Sequence, residues 1–110
     1  MDQNRLRCSA ILIDDDELVC KVWQLTAQAQ GRFVKTFSNP YDFLKISSRV
    51  PKNVPIYVDS DLRTNCSGEE VTKLLHEQEF TQIYLSTGYP SEKFSSIPWL
   101  KGIIGKDPPW

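Results

Sequence analysis

Three short apolar runs, each stopping abruptly at polar side chains, restrict this chain to few folds. Ile56-Tyr57-Val58 runs into Asp59-Ser60-Asp61, Ala10-Ile11-Leu12-Ile13 into Asp14-Asp15-Asp16, and Gln82-Ile83-Tyr84-Leu85 into Ser86-Thr87-Gly88. Runs this short and this apolar read as strands buried on both faces, which is how a parallel sheet covered by helices looks in sequence. In such a sheet a carboxylate at a strand end belongs at the loop edge, where ligands bind. Asp59 is therefore a candidate site residue by position alone.

The segments between the runs supply the helices. Residues 14–17 form a loop that caps a helix in which Leu18, Val22, Leu25 and Ala29 recur at spacings of three and four, predicting an inward apolar face, and Gly31 sits where a C-terminal glycine belongs. Asp16 and Glu17 suit the N-terminal end of that helix dipole and are assigned structural roles. Residues 33–37 form a second strand. Asn39, Pro40 and Asp42 then mark the cap, first position and first turn of a short helix, which residues 51–55 end. Beyond a polar loop at 62–67, a helix over 68–78 is predicted to turn Val71, Leu74 and Leu75 inward and Glu69, Lys73 and Glu77 outward. Strands at 81–85 and 101–104 follow, with a turn or two of helix expected around 91–96. Residues 1–8 read as a disordered lead-in. Five strands and four helical segments joined by crossover-length connections predict an α/β domain with a parallel sheet.

Length and composition exclude several classes. With 110 residues and 40% hydrophobic content, the chain suffices for one core, so a single domain over 1–110 is expected. Thirteen basic and fourteen acidic residues, a formal net charge of -1, leave no basic face for nucleic acid. The longest apolar runs fall far short of the roughly 20 residues that span a bilayer, and no membrane contact is expected. Cys8, Cys20 and Cys66 are odd in number and widely spaced, which argues against a disulfide frame or a zinc site and fits a reducing cytoplasm. Trp23, Trp99 and Trp110 read as core, edge or partner contacts, and Trp99 as part of a docking patch. His76 reads as a solvated helix residue.

All strands of a parallel sheet end on one side, so Asp14, Asp15, Asp59, Thr87 and Lys106 are expected to converge. Crowded carboxylates repel one another, and a hard cation such as Mg²⁺ relieves that repulsion. A threonine hydroxyl and a lysine ammonium would then hold phosphoryl oxygens, with Asp59 as the nucleophile that forms an acyl phosphate.

These motifs, in this order, resemble the receiver domain of two-component response regulators and hybrid histidine kinases. The resemblance is carried by Ile11-Leu12-Ile13-Asp14-Asp15-Asp16, Val58-Asp59-Ser60-Asp61, Gly68-Glu69-Glu70-Val71, Leu85-Ser86-Thr87-Gly88 and Gly105-Lys106, and spans residues 9–109. It implies a flavodoxin-like (CheY-like) sheet of order 2-1-3-4-5, here lacking the last helix. It also implies that Asp59 accepts phosphate from a phosphohistidine donor, either a histidine kinase or a phosphotransfer protein. Mg²⁺ would be held by Asp15 and Asp59 directly, by Asp61 through its backbone carbonyl and by Asp14 through water. Thr87 and Lys106 would hold the phosphoryl group, and a downstream signalling protein would read the result. At most the domain would catalyse its own phosphorylation and dephosphorylation, standing alone or ending a hybrid kinase.

Some positions depart from that pattern. The loop between Asp59 and Gly68 is one residue longer than usual and has Arg63 where proline is common. Ile103 stands where an aromatic residue is typical, and Lys106 is followed by Asp107 rather than proline. The cis bond common after this lysine is therefore either held by tertiary contacts or absent. Two other readings share features with the sequence. A haloacid-dehalogenase-type phosphohydrolase also uses Asp-x-Asp after a strand, as in Asp59-Ser60-Asp61, but places it on the first strand. A receiver-like interaction module would never be phosphorylated.

Overall fold

A computed structural model describes residues 8–62, 67–90 and 97–110. Its elements are β1 (Ala10–Ile13), α1 (Glu17–Ala29), β2 (Val34–Phe37), α2 (Pro40–Ile46) with a 3-10 turn at Ser47–Arg49, β3 (Ile56–Asp59), α3 (Gly68–Glu77), β4 (Ile83–Ser86) and β5 (Gly102–Ile104). All four strand pairings are parallel and the order is β2-β1-β3-β4-β5, as the resemblance implies. Of the expected lead-in at 1–8 only Cys8 is among the described residues; the helical turn at 91–96 and the loop position Arg63 lie outside them. Residues 105–110 carry no helix.

Alternation along the strands divides the core in two. Ile11, Ile13, Ile56, Val58 and Ile83 point to the face covered by α2 and α3, where they meet Phe43, Val71 and Leu75. Ala10, Leu12, Val34 and Tyr57 point the other way, onto Trp23 and Ala27 of α1. Each fully buried aliphatic side chain contributes about 1.5–3 kcal/mol, which is why such short strands suffice.

Local signals set the helix ends. Asp16 caps α1, accepting from the amides of Leu18 and Val19, and Gly31 closes it at φ 70°, a conformation that favours glycine. Asn39 caps α2 with Pro40 at its first position. Ser67 and Glu70 form a reciprocal capping box on α3.

Two predicted helix faces need correction. Leu18, Val22 and Leu25 are 71%, 43% and 56% exposed, whereas Trp23 and Ala27 are buried. Helix α1 carries two apolar stripes, and periodicity alone does not say which one faces the sheet. Trp23 decides it: the ring packs edge-on to Tyr57, and its indole N–H donates to the Lys106 carbonyl at 2.9 Å. On α3, Val71 and Leu75 are buried as expected, but Leu74 is exposed and Thr72 takes the inward position. The Thr72 hydroxyl donates to the Glu69 carbonyl and accepts from Trp99 Nε1, so burying it leaves no polar atom unpaired. Trp99 is half-buried on α3 and stacks on the exposed ring of His76.

Trp23→Ala is expected to cost about 3–5 kcal/mol in urea unfolding. Leu25→Gln, on the stripe expected from sequence to be core, is expected to change stability by less than about 0.5 kcal/mol.

Candidate functional site

Strand register assembles the site. Ile13 lies opposite Val58 across the β1–β3 pair, so the next residues, Asp14 and Asp59, reach the sheet edge side by side. Asp59 is opposite Ser86, and Ser86 opposite Ile104, which brings Thr87 and the 105–106 segment to the same edge. Since β2 and β3 flank β1 on opposite sides, this edge is also the point where chain connections diverge, the usual ligand position in open α/β sheets.

A cleft of about 220 Å³ opens there, lined by Asp14, Asp15, Asp16, Val19, Asp59, Asp61 and Lys106. Asp14 and Asp59 are only 1% and 4% exposed. Between them lies the Lys106 ammonium, with Nζ 3.1 Å from Asp14 Oδ2 and 2.5 Å from Asp59 Oδ1. Two backbone amides fix the carboxylates: the Asp16 N–H donates to Asp14 Oδ1 at 2.9 Å and the Asp61 N–H to Asp59 Oδ1 at 3.1 Å. Asp16 thus serves the α1 cap and the orientation of Asp14 together. A roomier groove of about 460 Å³ between α1 and β2 includes no carboxylate in its lining, so size does not select the site.

Electrostatics here are strained. Burial raises the Asp14 carboxyl above its ordinary value; the Asp16 amide pulls it down, the Asp59 charge pushes it up, and Lys106 only partly offsets the balance. Burial also opposes the Lys106 charge, but the hydrogen bond to Asp59 and the field of Asp14 outweigh it, leaving the ammonium held more firmly than in water. Nearby, burial together with the Asp14 charge pushes the Cys20 thiol up to about 11, so it stays protonated; its Sγ–H donates to the Asp14 carbonyl.

Asp14, Asp15 and Asp59 each offer a carboxylate oxygen, all within 4.8 Å of one another. Three hard oxygen donors around one point fit a Mg²⁺-like cation. The acid pair in this cluster is Asp14 and Asp15 rather than Asp15 and Asp16. Asp61 also lines the cleft, but it is exposed and its carboxylate is not one of the three clustered donors.

Thr87 reaches the same edge but does not line the cleft. Its buried hydroxyl accepts from Ser60 Oγ at 2.8 Å and from the Tyr89 amide at 3.0 Å. Lys106 is braced from behind by the Trp23 indole on its carbonyl, and the Ser86 hydroxyl holds the carbonyl of Gly105. All described peptide bonds are trans, including the one between Lys106 and Asp107.

Sequence reading missed three contributors: Ser60, Trp23 and the packing role of Gly68. A Cβ at Gly68 would lie 2.1 Å from the Asp59 carbonyl oxygen and 2.7 Å from the Ser60 Cα, so only glycine lets the start of α3 pass this close behind the end of β3. The buried Trp23 indole, which needs an acceptor, was a readable signal. Ser60 had none, because its partner is 27 residues away.

Solved structures share this architecture. A receiver-domain protein from Methanospirillum hungatei superposes with a TM-score of 0.74 at 21% identity, covering 91% of this chain and 82% of its own. The TrrA response regulator from Thermotoga maritima, solved with Mg²⁺ and BeF, gives 0.73 at 20% identity over 87% and 84%. CheY4, a chemotaxis protein from Vibrio cholerae, gives 0.72 at 19% identity over 96% and 89%. The chain has the fold of response-regulator receiver domains. No protein-family model and no curated protein sequence matches it. Among the described residues, no helix is long and apolar enough to cross a membrane.

Two outcomes test this receiver-like edge. Gly68→Ala is expected to destabilise by about 1–3 kcal/mol in chemical denaturation, since backbone rather than a side-chain tip blocks the new methyl. Without metal, in EDTA, ionised Asp14 opposes folding. Below its unfolded value of 3.8 the carboxyl is neutral in both states and costs nothing; as pH rises through its raised folded value the cost appears. Asp14→Asn is therefore expected to raise the thermal midpoint at pH 7, with the advantage vanishing near the unfolded value of 3.8.

Proposed function

We propose that this chain is a phosphoacceptor receiver domain in which Asp59 takes a phosphoryl group from a phosphohistidine donor, a histidine kinase or phosphotransfer protein, and switches the binding of a downstream signalling protein. One observation carries the reading: Lys106 Nζ bridges Asp14 and Asp59 at the sheet edge, with a carboxylate oxygen of Asp15 in the same cluster. An acid pair, a nucleophilic carboxylate and a lysine converging from three strand ends match the needs of phosphoryl transfer.

Asp14, Asp15 and Asp59 would hold Mg²⁺, with the Asp61 backbone completing the wall. The bound ion supplies charge neutralisation for the incoming phosphoryl oxygens. An Asp59 carboxylate oxygen attacks phosphorus, the bond from phosphorus to the donor imidazole nitrogen breaks, and an acyl phosphate forms. Lys106, already on Asp59, is placed to exchange one carboxylate partner for a phosphoryl oxygen. Hydrolysis restores the carboxylate and releases inorganic phosphate.

Signalling would run through Thr87. In the unmodified chain its hydroxyl is tied to Ser60 and to the Tyr89 amide. A phosphoryl group on Asp59 competes for that hydroxyl, and turning Thr87 toward it breaks the Tyr89 contact and re-packs the loop after β4. Ile103, half-buried on β5, takes the place where an aromatic residue would rotate, so the loop itself carries the change. In the Thermotoga maritima relative, Mg²⁺ and BeF were present together in the solved complex.

Beryllofluoride, a phosphoryl mimic, with Mg²⁺ is expected to shift the amide resonances of residues 59–61 and 87–89, and Asp59→Asn is expected to abolish the response. Acetyl phosphate should label the chain stoichiometrically without turnover of p-nitrophenyl phosphate. Unchanged spectra would leave an unphosphorylated interaction module, and steady turnover a phosphohydrolase.

A further inference from the structure

Two partners of different kinds hold the Thr87 hydroxyl. Ser60 Oγ donates to it at 2.8 Å and the Tyr89 amide at 3.0 Å, which fills both acceptor positions of a threonine hydroxyl and leaves only its own proton to give. Tyr89 belongs to the loop after β4. Ser60 directly follows Asp59 at the end of β3, where its N–H donates to the Ser86 carbonyl at 3.0 Å, while the Thr87 N–H donates to the Ile104 carbonyl at 2.9 Å. Both backbones at the Ser60–Thr87 contact are therefore anchored in the sheet. That contact does not depend on the loop, and it breaks when the Thr87 side chain turns.

We propose that Ser60 is a positioning residue: it holds Thr87 off the cleft and sets how strongly a phosphoryl group on Asp59 must compete for the threonine hydroxyl. The proposal rests on the phosphoacceptor reading of Asp59 and separates two roles. Ser60 governs the affinity of the switch, and the Tyr89 contact governs what the loop reports.

The geometry gives the reason. Thr87 is 4% exposed and is not among the residues lining the cleft. A phosphoryl oxygen only accepts, so Thr87 must donate to it, and with its backbone fixed it reaches the cleft only by leaving its present χ1 well. A β-branched side chain has few such wells, so the move is a jump and not a gradual tilt. The jump carries Oγ farther than a 2.8 Å hydrogen bond can stretch. Ser60 is half-buried, so its released hydroxyl turns to water and the loss is that of one net hydrogen bond, a bias toward rest of about two- to tenfold. Consecutive residues at a strand end face opposite ways, so the Ser60 hydroxyl lies toward Thr87 and not toward the Asp59 carboxylate.

Titration of the full chain with beryllofluoride and Mg²⁺, followed by the amide resonances of residues 59–61 and 87–89, reads both roles. Ser60→Ala is expected to tighten the apparent affinity about two- to tenfold while the saturated shifts of residues 88–90 stay as in the wild type. Thr87→Val keeps the side-chain shape and removes the hydroxyl. In that background Ser60→Ala is expected to change affinity by less than about twofold, because nothing remains for Ser60 to hold. Urea unfolding in EDTA reads the resting contact without any ligand: the same two substitutions are expected to be non-additive, with a coupling of about two- to tenfold in the unfolding equilibrium. Far-UV circular dichroism checks that each variant is folded. Unchanged or weaker binding in Ser60→Ala, an equal gain in the Thr87→Val background, altered saturated shifts at 88–90, or additive unfolding would each overturn the proposal while a responsive wild type leaves the phosphoacceptor reading intact. A wild-type chain that does not respond to beryllofluoride would overturn that reading, and the proposal with it, whatever the unfolding coupling.

Discussion

One ammonium group between two buried carboxylates organises this molecule. Lys106 arrives from the far end of the chain to neutralise Asp14 and Asp59, which lie 92 and 47 residues before it. Without a cation those carboxylates would stand side by side, nearly excluded from water, and folding would have to overcome their mutual repulsion as well as their desolvation. Sheet order follows from the same requirement: β1 and β3 must be adjacent to bring the acids together, and the segment after β5 must reach back across β4.

The rest of the scaffold holds that meeting point in place. Trp23 fills the α1 face of the sheet and fixes the Lys106 backbone, so one side chain links the core to the site. Packed against it, Trp110 and Tyr57 make edge-on contacts, and Tyr57 in turn stacks on Tyr84. On the other side of the strand end, Gly68 lets α3 start directly behind Asp59. The end of β3 is thus fixed from behind while the Asp59 carboxylate stays at the cleft. The raised Asp14 carboxyl marks the cost of holding two carboxylates together away from water.

Much of this was legible in the sequence, for identifiable reasons. Apolar runs too short for helices and ending in acids fixed the strands, their parallel pairing and the edge where Asp14, Asp15, Asp59 and Lys106 meet. The cap of α1 within residues 14–17, the cap at Asn39 and the glycine at 31 are local hydrogen-bonding or backbone features, which sequence records well. What stayed hidden depends on contacts between distant segments. Two apolar stripes on α1 satisfy the same periodicity, and only the acceptor that the Trp23 indole finds at Lys106 selects between them. Leu74 is exposed, against expectation, and Thr72 takes the inward position, where Trp99, 27 residues further on, donates a hydrogen bond to its hydroxyl. Thr87 was placed correctly at the end of β4, but its pairing with Ser60 could not be read from spacing.

The central claim is that Asp14, Asp15 and Asp59 form one divalent-cation site with Lys106 on its rim. Paramagnetic line broadening by substoichiometric Mn²⁺ tests it most directly, because the ion broadens only nearby amide resonances. The account predicts selective loss of the signals of residues 14–16, 59–61 and 106, reversed by excess Mg²⁺. Broadening centred elsewhere, or none with the domain folded, would contradict it.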